Sequence, residues 1–254
     1  MGVLKAFSLE GRVAVVTGAS SGLGAGFSRA LADAGADVVL AARRSERLAS
    51  TADEVRRLGR SALCVQTDVT SPDECARAVD DAMSKYGRVD ILVNTAGLGT
   101  AVPALKEAPD DFLRVVDVNL NGTYWMAQAC ARVMKPGSSI IYVSSVLGLV
   151  KSFAPQAAYS SSKAAVIGLT RDLSAQWAGR RGIRVNAIAP GYFVSEMTDD
   201  VPKDSLSTFL AQHCTLNRMG TQAELDAAVI FLASSASSYI TGVTLAVDGG
   251  ITGH

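Results

Sequence analysis

The sequence carries no excess of either charge: 24 Lys and Arg stand against 24 Asp and Glu. Proteins that track a phosphate backbone show a basic excess or stripe, so nucleic acid is not an expected partner. Short basic clusters at Arg43, Arg44, Arg47 and at Arg56, Arg57, Arg60 read first as solvated helix faces. Histidine is nearly absent, with only His213 and His254. No His-rich metal cluster and no secure Ser-His-Asp triad can be assembled from them, so no metal site is expected. The four cysteines, Cys64, Cys75, Cys130 and Cys214, lack the short spacings of a zinc site and are too few for a disulfide scaffold. They read as reduced thiols, mostly in the core. The longest apolar stretch, Ile140 to Val150, is broken by Ser144 and Ser145 and is too short to span a bilayer, so no membrane partner is expected. Met1 to Arg12 has no apolar signal segment, which makes a cytoplasmic location the expectation.

Aromatics are also scarce, at 6% of a chain that is 48% hydrophobic. Much of the apolar content is therefore Ala, Val and Leu, which suits helices packed closely on a parallel sheet. The pattern bears this out. Apolar, β-branched runs at 12–18, 37–42, 61–66, 89–94, 139–144, 183–189 and 243–247 read as strands. Helices are expected at 23–34, 45–58, 71–86, 110–134, 157–178 and 223–234, with Ser71 as N-cap and Pro72 at N1 of the third. Near-continuous apolar strands alternating with helices predict an α/β fold, a doubly wound parallel sheet with helices on both faces. No linker or charge run divides residues 1–254, so a single domain is expected. The least regular stretch, 191–220, follows a strand end and reads as a substrate loop.

Three constellations carry chemistry. The first strand runs into Gly18, Ala19, Ser20, Ser21, Gly22, Leu23 and Gly24, then into a helix. Such a turn brings helix N-terminal N–H groups to a pyrophosphate, although its spacing is not the G-x-G-x-x-G of the common dinucleotide fingerprint. The second strand ends at Arg43 and Arg44, with no carboxylate to receive a ribose 2′-OH. A guanidinium there would hold a 2′-phosphate, favouring NADP(H) while leaving NAD(H) open. Tyr159 and Lys163 lie at i and i+4 on one helix face, where an ammonium can lower a phenol pKa toward neutrality and make a general acid/base. Ser145 ends the fifth strand and offers a hydroxyl to a substrate oxygen.

Together these residues resemble the short-chain dehydrogenase/reductase family, in the subgroup of about this length, over essentially the whole chain. The resemblance rests on Thr17–Gly24, Asp68-Val69, Asn94-Thr95-Ala96-Gly97, Asn119, Ser145, Tyr159–Lys163, Pro190-Gly191 and the tail Tyr239–Gly250. It implies a Rossmann-type domain and an oxidoreductase that interconverts a secondary alcohol and a ketone. Tyr159 would exchange a proton with the substrate oxygen, and Lys163 would hold the cofactor ribose and lower the Tyr159 pKa. Ser145 would steady that oxygen, and Asn119 would keep a water linking Lys163 to solvent. Asp68 and Val69 would flank adenine, Asn94 to Gly97 would line the cofactor, and Pro190, Gly191, Phe193 and Ser195 would surround the carboxamide.

Three departures qualify the resemblance. Thr95 replaces the second Asn of N-N-A-G, an exchange expected to alter a structural hydrogen bond. The Ser-to-Tyr spacing is one residue longer than the commonest pattern, which leaves Ser144 as an alternative to Ser145 for the active hydroxyl. Ser195 stands where Thr is frequent. Two other functions remain open: a 3-oxoacyl-(acyl-carrier-protein) reductase, for which Lys151 and Arg218 could supply a basic patch, and a nucleotide-sensing scaffold without catalysis. The uncharged residues Leu98, Gly99, Val146, Leu147, Gly148, Tyr192 and Phe193 are expected around a small, neutral, fairly apolar substrate. His213 is expected at the surface. Helices 110–134 and 157–178 look too apolar for one buried face, and by family resemblance a homotetramer is expected.

Overall fold

The computed structural model describes residues 2–193 and 203–253, without the side chains of 203–205. Seven strands form one parallel sheet: β1 (Val13–Thr17), β2 (Asp37–Ala42), β3 (Ala62–Gln66), β4 (Ile91–Asn94), β5 (Ser139–Val143), β6 (Arg184–Pro190) and β7 (Thr244–Val247). Their order is β3-β2-β1-β4-β5-β6-β7. The chain thus winds outward one way from β1 and then the other way from β4. The crevice left between β1 and β4 at the strands' C-terminal ends is where such sheets bind ligands.

Helices cover both faces because the strands are apolar on both. Ala14 and Val16 of β1 pack with Phe27 and Leu31 of α1 (Gly22–Asp33), Leu48 and Val55 of α2 (Ser45–Arg57), and Leu225 and Leu232 of the helix at Gln222–Ala233. Val13 and Val15 face the other way. They pack with Val79 of α3 (Pro72–Tyr86), Met126 of α5 (Gly122–Val133) and Val166 of α6 (Ala157–Arg181), while α4 (Pro109–Val116) packs on α6. Ser71 caps α3 as expected, accepting the Glu74 N–H at 3.3 Å with Pro72 in the first turn. The cysteines are free, and only Cys64 is exposed.

Two expectations need correction beyond shifts of a few residues at element ends. The helix expected over 110–134 is interrupted by a π-helical turn, Asp117–Asn121, between α4 and α5. The turn holds Asn119 at full burial, and Thr123 Oγ1 donates to its carbonyl at 2.8 Å. The stretch 191–220 is not all irregular. It contains α7 (Lys203–His213), which precedes α8 (Gln222–Ala233). Leu206, Leu210, Cys214 and Ile251 make a small core beneath it. Among the described residues no helix is long and apolar enough to cross a membrane.

Candidate active site

The site is assembled at the ends of β1, β4 and β5. Thr17, fully buried at the end of β1, donates to Asn94 Oδ1 at 3.0 Å and accepts the N–H groups of Thr95 and Ala96 at 3.0 and 3.1 Å. Asn94 in turn donates to the Thr123 carbonyl at 2.9 Å. These bonds join the glycine turn to the Ala96-Gly97 backbone. Gly18 has φ +66°, and a side chain on Gly24 would run into the Gly18 carbonyl. The turn therefore needs glycine at both positions, one for its conformation and one for its packing. Thr95 Oγ1 is buried and has no hydrogen-bond partner among the described residues.

A cleft of about 550 Å³ runs from this turn to the end of β5. Gly18, Ser20, Ser21, Gly22, Leu23 and Gly24 form one wall. Arg43, Arg44, Asp68 and Val69 close the end beyond β2, and Ala96 and Gly97 form the floor. Ser145, Tyr159, Lys163, Pro190, Gly191 and Phe193 line the far end. Asn94 and Asn119 are not on the wall but lie one layer behind it. Asn119 Oδ1 accepts the Leu98 N–H at 2.7 Å, and its Nδ2 donates to the Leu98 carbonyl at 2.9 Å and to Ser162 Oγ at 3.0 Å. Its side chain thus fixes the segment after Gly97. Ser195 falls outside the described residues. Arg44 also reaches the glycine turn, where its guanidinium donates to Ser21 Oγ at 3.1 Å. The Arg-Arg pair itself was the available signal.

The candidate catalytic groups meet on α6 and the segment after β5. Ser145 Oγ accepts the Leu147 N–H at 3.1 Å and shares the end of the cleft with Tyr159. Ser144 instead donates to the Lys163 carbonyl at 2.8 Å, so its hydroxyl is turned toward the α6 backbone. Lys163 Nζ donates to the Val143 carbonyl at 2.8 Å and lies 5.6 Å from the centre of the Tyr159 ring. Burial pushes the Tyr159 phenol up, and the neighbouring Ser145 hydroxyl opposes that. The expected direct lowering by Lys163 is not among the influences on the phenol. Burial instead depresses Lys163 itself to about 8. A side chain on Gly97 would come within 3.3 Å of Asn119 Oδ1 and 3.5 Å of Lys163 Nζ. The bare backbone there lets a flat group approach the lysine.

Of the residues expected around the substrate, Leu98, Gly99 and Phe193 line the cleft. Val146 and Leu147 pack against Tyr159, supporting it from behind. Gly148 sits on the Lys163 backbone, and Tyr192 packs on Phe209 of α7 at 5.1 Å. His213 is half-buried rather than at the surface, stacked on Phe209 at 4.8 Å and beside Phe153 at 4.6 Å. Among the described residues no group of three His, Cys, Asp or Glu could hold a metal.

This geometry has close counterparts. Residues 18–252 match the family model described as enoyl-(acyl carrier protein) reductase. A 2-dehydro-3-deoxy-D-gluconate 5-dehydrogenase from Escherichia coli is 38% identical, with 98% of each chain covered. A 3-oxoacyl-(acyl-carrier-protein) reductase from Thermotoga maritima is 36% identical, covering 96% of this chain and 98% of that protein. The crystal structure of a gluconate 5-dehydrogenase from Burkholderia cenocepacia, in complex with NADP and tartrate, superposes with a TM-score of 0.93 at 37% identity, covering all of both chains. The fold, the cleft and these relatives lead to one conclusion: the chain belongs to the short-chain dehydrogenase/reductase family, as an NAD(P)-dependent oxidoreductase acting on CH–OH groups.

Proposed function

We propose that this enzyme interconverts a small secondary alcohol and its ketone with NADP(H) preferred over NAD(H), using Ser145, Tyr159 and Lys163. The observation that carries the reading is the joint presence of Tyr159, Ser145 and Lys163 at the end of a cleft whose other end holds Arg43 and Arg44. The cleft fits a dinucleotide: glycine backbone borders it at 18, 22 and 24, and the absence of a side chain at Gly97 leaves the approach to Lys163 clear. Such a cofactor, when bound, supplies or accepts the hydride. Everything else falls to the chain. The Ser145 hydroxyl holds the substrate oxygen, and Tyr159 gives it a proton in reduction or takes one in oxidation. The amino group of Lys163 lies near enough to favour the phenolate once a ligand excludes water from between them. Asn119 serves by fixing Leu98 and by contacting Ser162, which lies about one turn after Tyr159 and directly before Lys163. Pro190, Gly191 and Phe193, with Ser195 beyond them, belong to the carboxamide end in this proposal, and Asp68 and Val69 to the adenine end.

The described substrate wall has no charge apart from Lys163, which supports a neutral substrate centre. Relatives named for gluconate derivatives make a sugar acid the direct comparison. Turnover against paired neutral and carboxylate-bearing alcohols, with both cofactors, tests the reading. A large preference for the anions would overturn the neutral assignment, and no turnover with any substrate would favour the nucleotide-sensing scaffold. The acyl-carrier reading has less support. Arg218 is held by Glu224 at 2.6 and 2.9 Å, and Lys151 lies over the Phe153 ring at 6.0 Å, so neither stands as a free basic patch.

The same reading includes a homotetramer in the cytoplasm. Leu113 of α4 is 61% exposed, and Trp125 of α5 is only partly buried. These apolar positions favour burial against another copy. Light scattering at micromolar concentration should give four times the chain mass, and a monomer would overturn it.

A further inference from the structure

A second cavity, of about 580 Å³, opens at the opposite end of the sheet, where Arg12 precedes β1 and Arg184 begins β6. Its volume lies within the range of small-molecule sites. Arg184 is only 8% exposed and lines the cavity, yet no carboxylate pairs with it among the described residues. Its guanidinium donates to Ser237 Oγ at 2.8 Å and to the Ser234 carbonyl at 3.0 Å. Burial and the charge of Arg12 lower it to about 10. Arg12 also lines the cavity, and its partner Asp90 is already held at both oxygens by Arg88, each at 2.7 Å. Arg12 and Arg88 therefore share one carboxylate and Arg184 has none, so three guanidinium charges stand against a single carboxylate charge. The C-terminal ends of α6 and α8 border the cavity at Gly182 and Ala233. Crediting each with about half a negative charge still leaves roughly one positive charge unmatched. A buried cation without a counter-charge is unfavourable, and an anion entering the cavity would remove that cost.

We propose that this cavity is a binding site for a small phosphate- or carboxylate-bearing anion, held between Arg12 and Arg184. It is separate from the cofactor cleft, and the proposal does not depend on the catalytic reading. Thermal unfolding of the intact enzyme is followed against sodium phosphate, sodium citrate and sodium chloride at matched ionic strength, with NADP(H) saturating so that the cofactor cleft is filled. A saturable rise in the midpoint with phosphate or citrate, absent with chloride, is expected, and comparison of the two arms identifies the preferred head group. Arg184→Met should weaken the response about 10–150-fold, the loss of a charge-assisted contact. Because that variant loses two buried hydrogen bonds and could fail to fold, Arg12→Gln is the parallel test. It leaves Asp90 with Arg88 and should weaken the response in the same direction. If the midpoint rises equally in wild type and Arg12→Gln, or if chloride matches phosphate and citrate, the site does not exist.

Discussion

The guanidinium of Arg44 donates to the hydroxyl of Ser21 across 3.1 Å, tying the end of β2 to the glycine turn at the edge of the cofactor cleft. Arg43 lines the same cleft. With no carboxylate at this strand end, the pair is placed to meet a 2′-phosphate. Arg43→Ala is expected to weaken NADP(H) about 10–150-fold and NAD(H) far less, measured as dissociation constants by fluorescence titration. Equal losses for the two cofactors would mean that Arg43 packs on the adenine and does not read the phosphate.

Tyr159→Phe removes one hydroxyl and little else, because Val146 and Leu147 continue to pack on the ring. Turnover should fall by about 10²–10⁴-fold while cofactor affinity stays nearly constant. Steady-state rates and cofactor titration on the same preparation separate the two effects. Retention of more than about a tenth of the activity would remove the phenol from the mechanism on that scale.

Lys163 gives a pH-dependent stability with a definite sign. The unfolded chain keeps this proton up to about pH 10.5, whereas the folded protein releases it near 8. Between those values the unfolded state binds more protons, so stability rises with pH, and the cost of the buried ammonium is fully present below about 8. That cost is on the order of 3 kcal/mol, less about 1 for the hydrogen bond to Val143 that an apolar replacement forgoes. Lys163→Met should therefore be about 2 kcal/mol more stable than wild type at pH 7 and lose that advantage above pH ~10. Urea unfolding of the cofactor-free enzyme at the two pH values checks it. A variant less stable than wild type at pH 7 would show that the burial cost is smaller than stated.

Gly148 lies against the α6 backbone, where a side chain would stand 2.8 Å from the Lys163 carbonyl carbon. Gly148→Ala must push that backbone away, and with it the Ser144 bond to the Lys163 carbonyl. A destabilisation of about 1–3 kcal/mol is expected, with a drop in turnover larger than any change in cofactor affinity. Thermal unfolding and kinetics on the variant decide it, and an unchanged midpoint would mean the segment after β5 can move freely.

The sheet was legible because buried parallel strands must be apolar on both faces, and Val13–Thr17 or Ser139–Val143 cannot easily be anything else. Tyr159, Lys163 and Ser145 were legible through spacing and strand position. The π-helical turn at Asn119 was not, since helical periodicity continues on both sides of it and the extra residue is set by contacts with Leu98 and Ser162. Helix α7 was hidden by Ser and Thr among its residues, although Leu206, Phe209 and Leu210 fall at helical spacing. The placement of Asn119 behind the cleft, and of His213 against two phenyl rings, depends on segments far apart in the chain. No local pattern announces either.

The packing of Gly24 on the Gly18 carbonyl also says where this enzyme can be re-engineered. The glycine turn accepts no side chain at that position, and Gly18 already needs a left-handed backbone. A cofactor-switching library directed at those glycines would return mostly collapsed variants. Positions 43 and 44 are exposed and end a strand without closing any backbone contact of that kind, so diversity placed there can be screened for function rather than for folding.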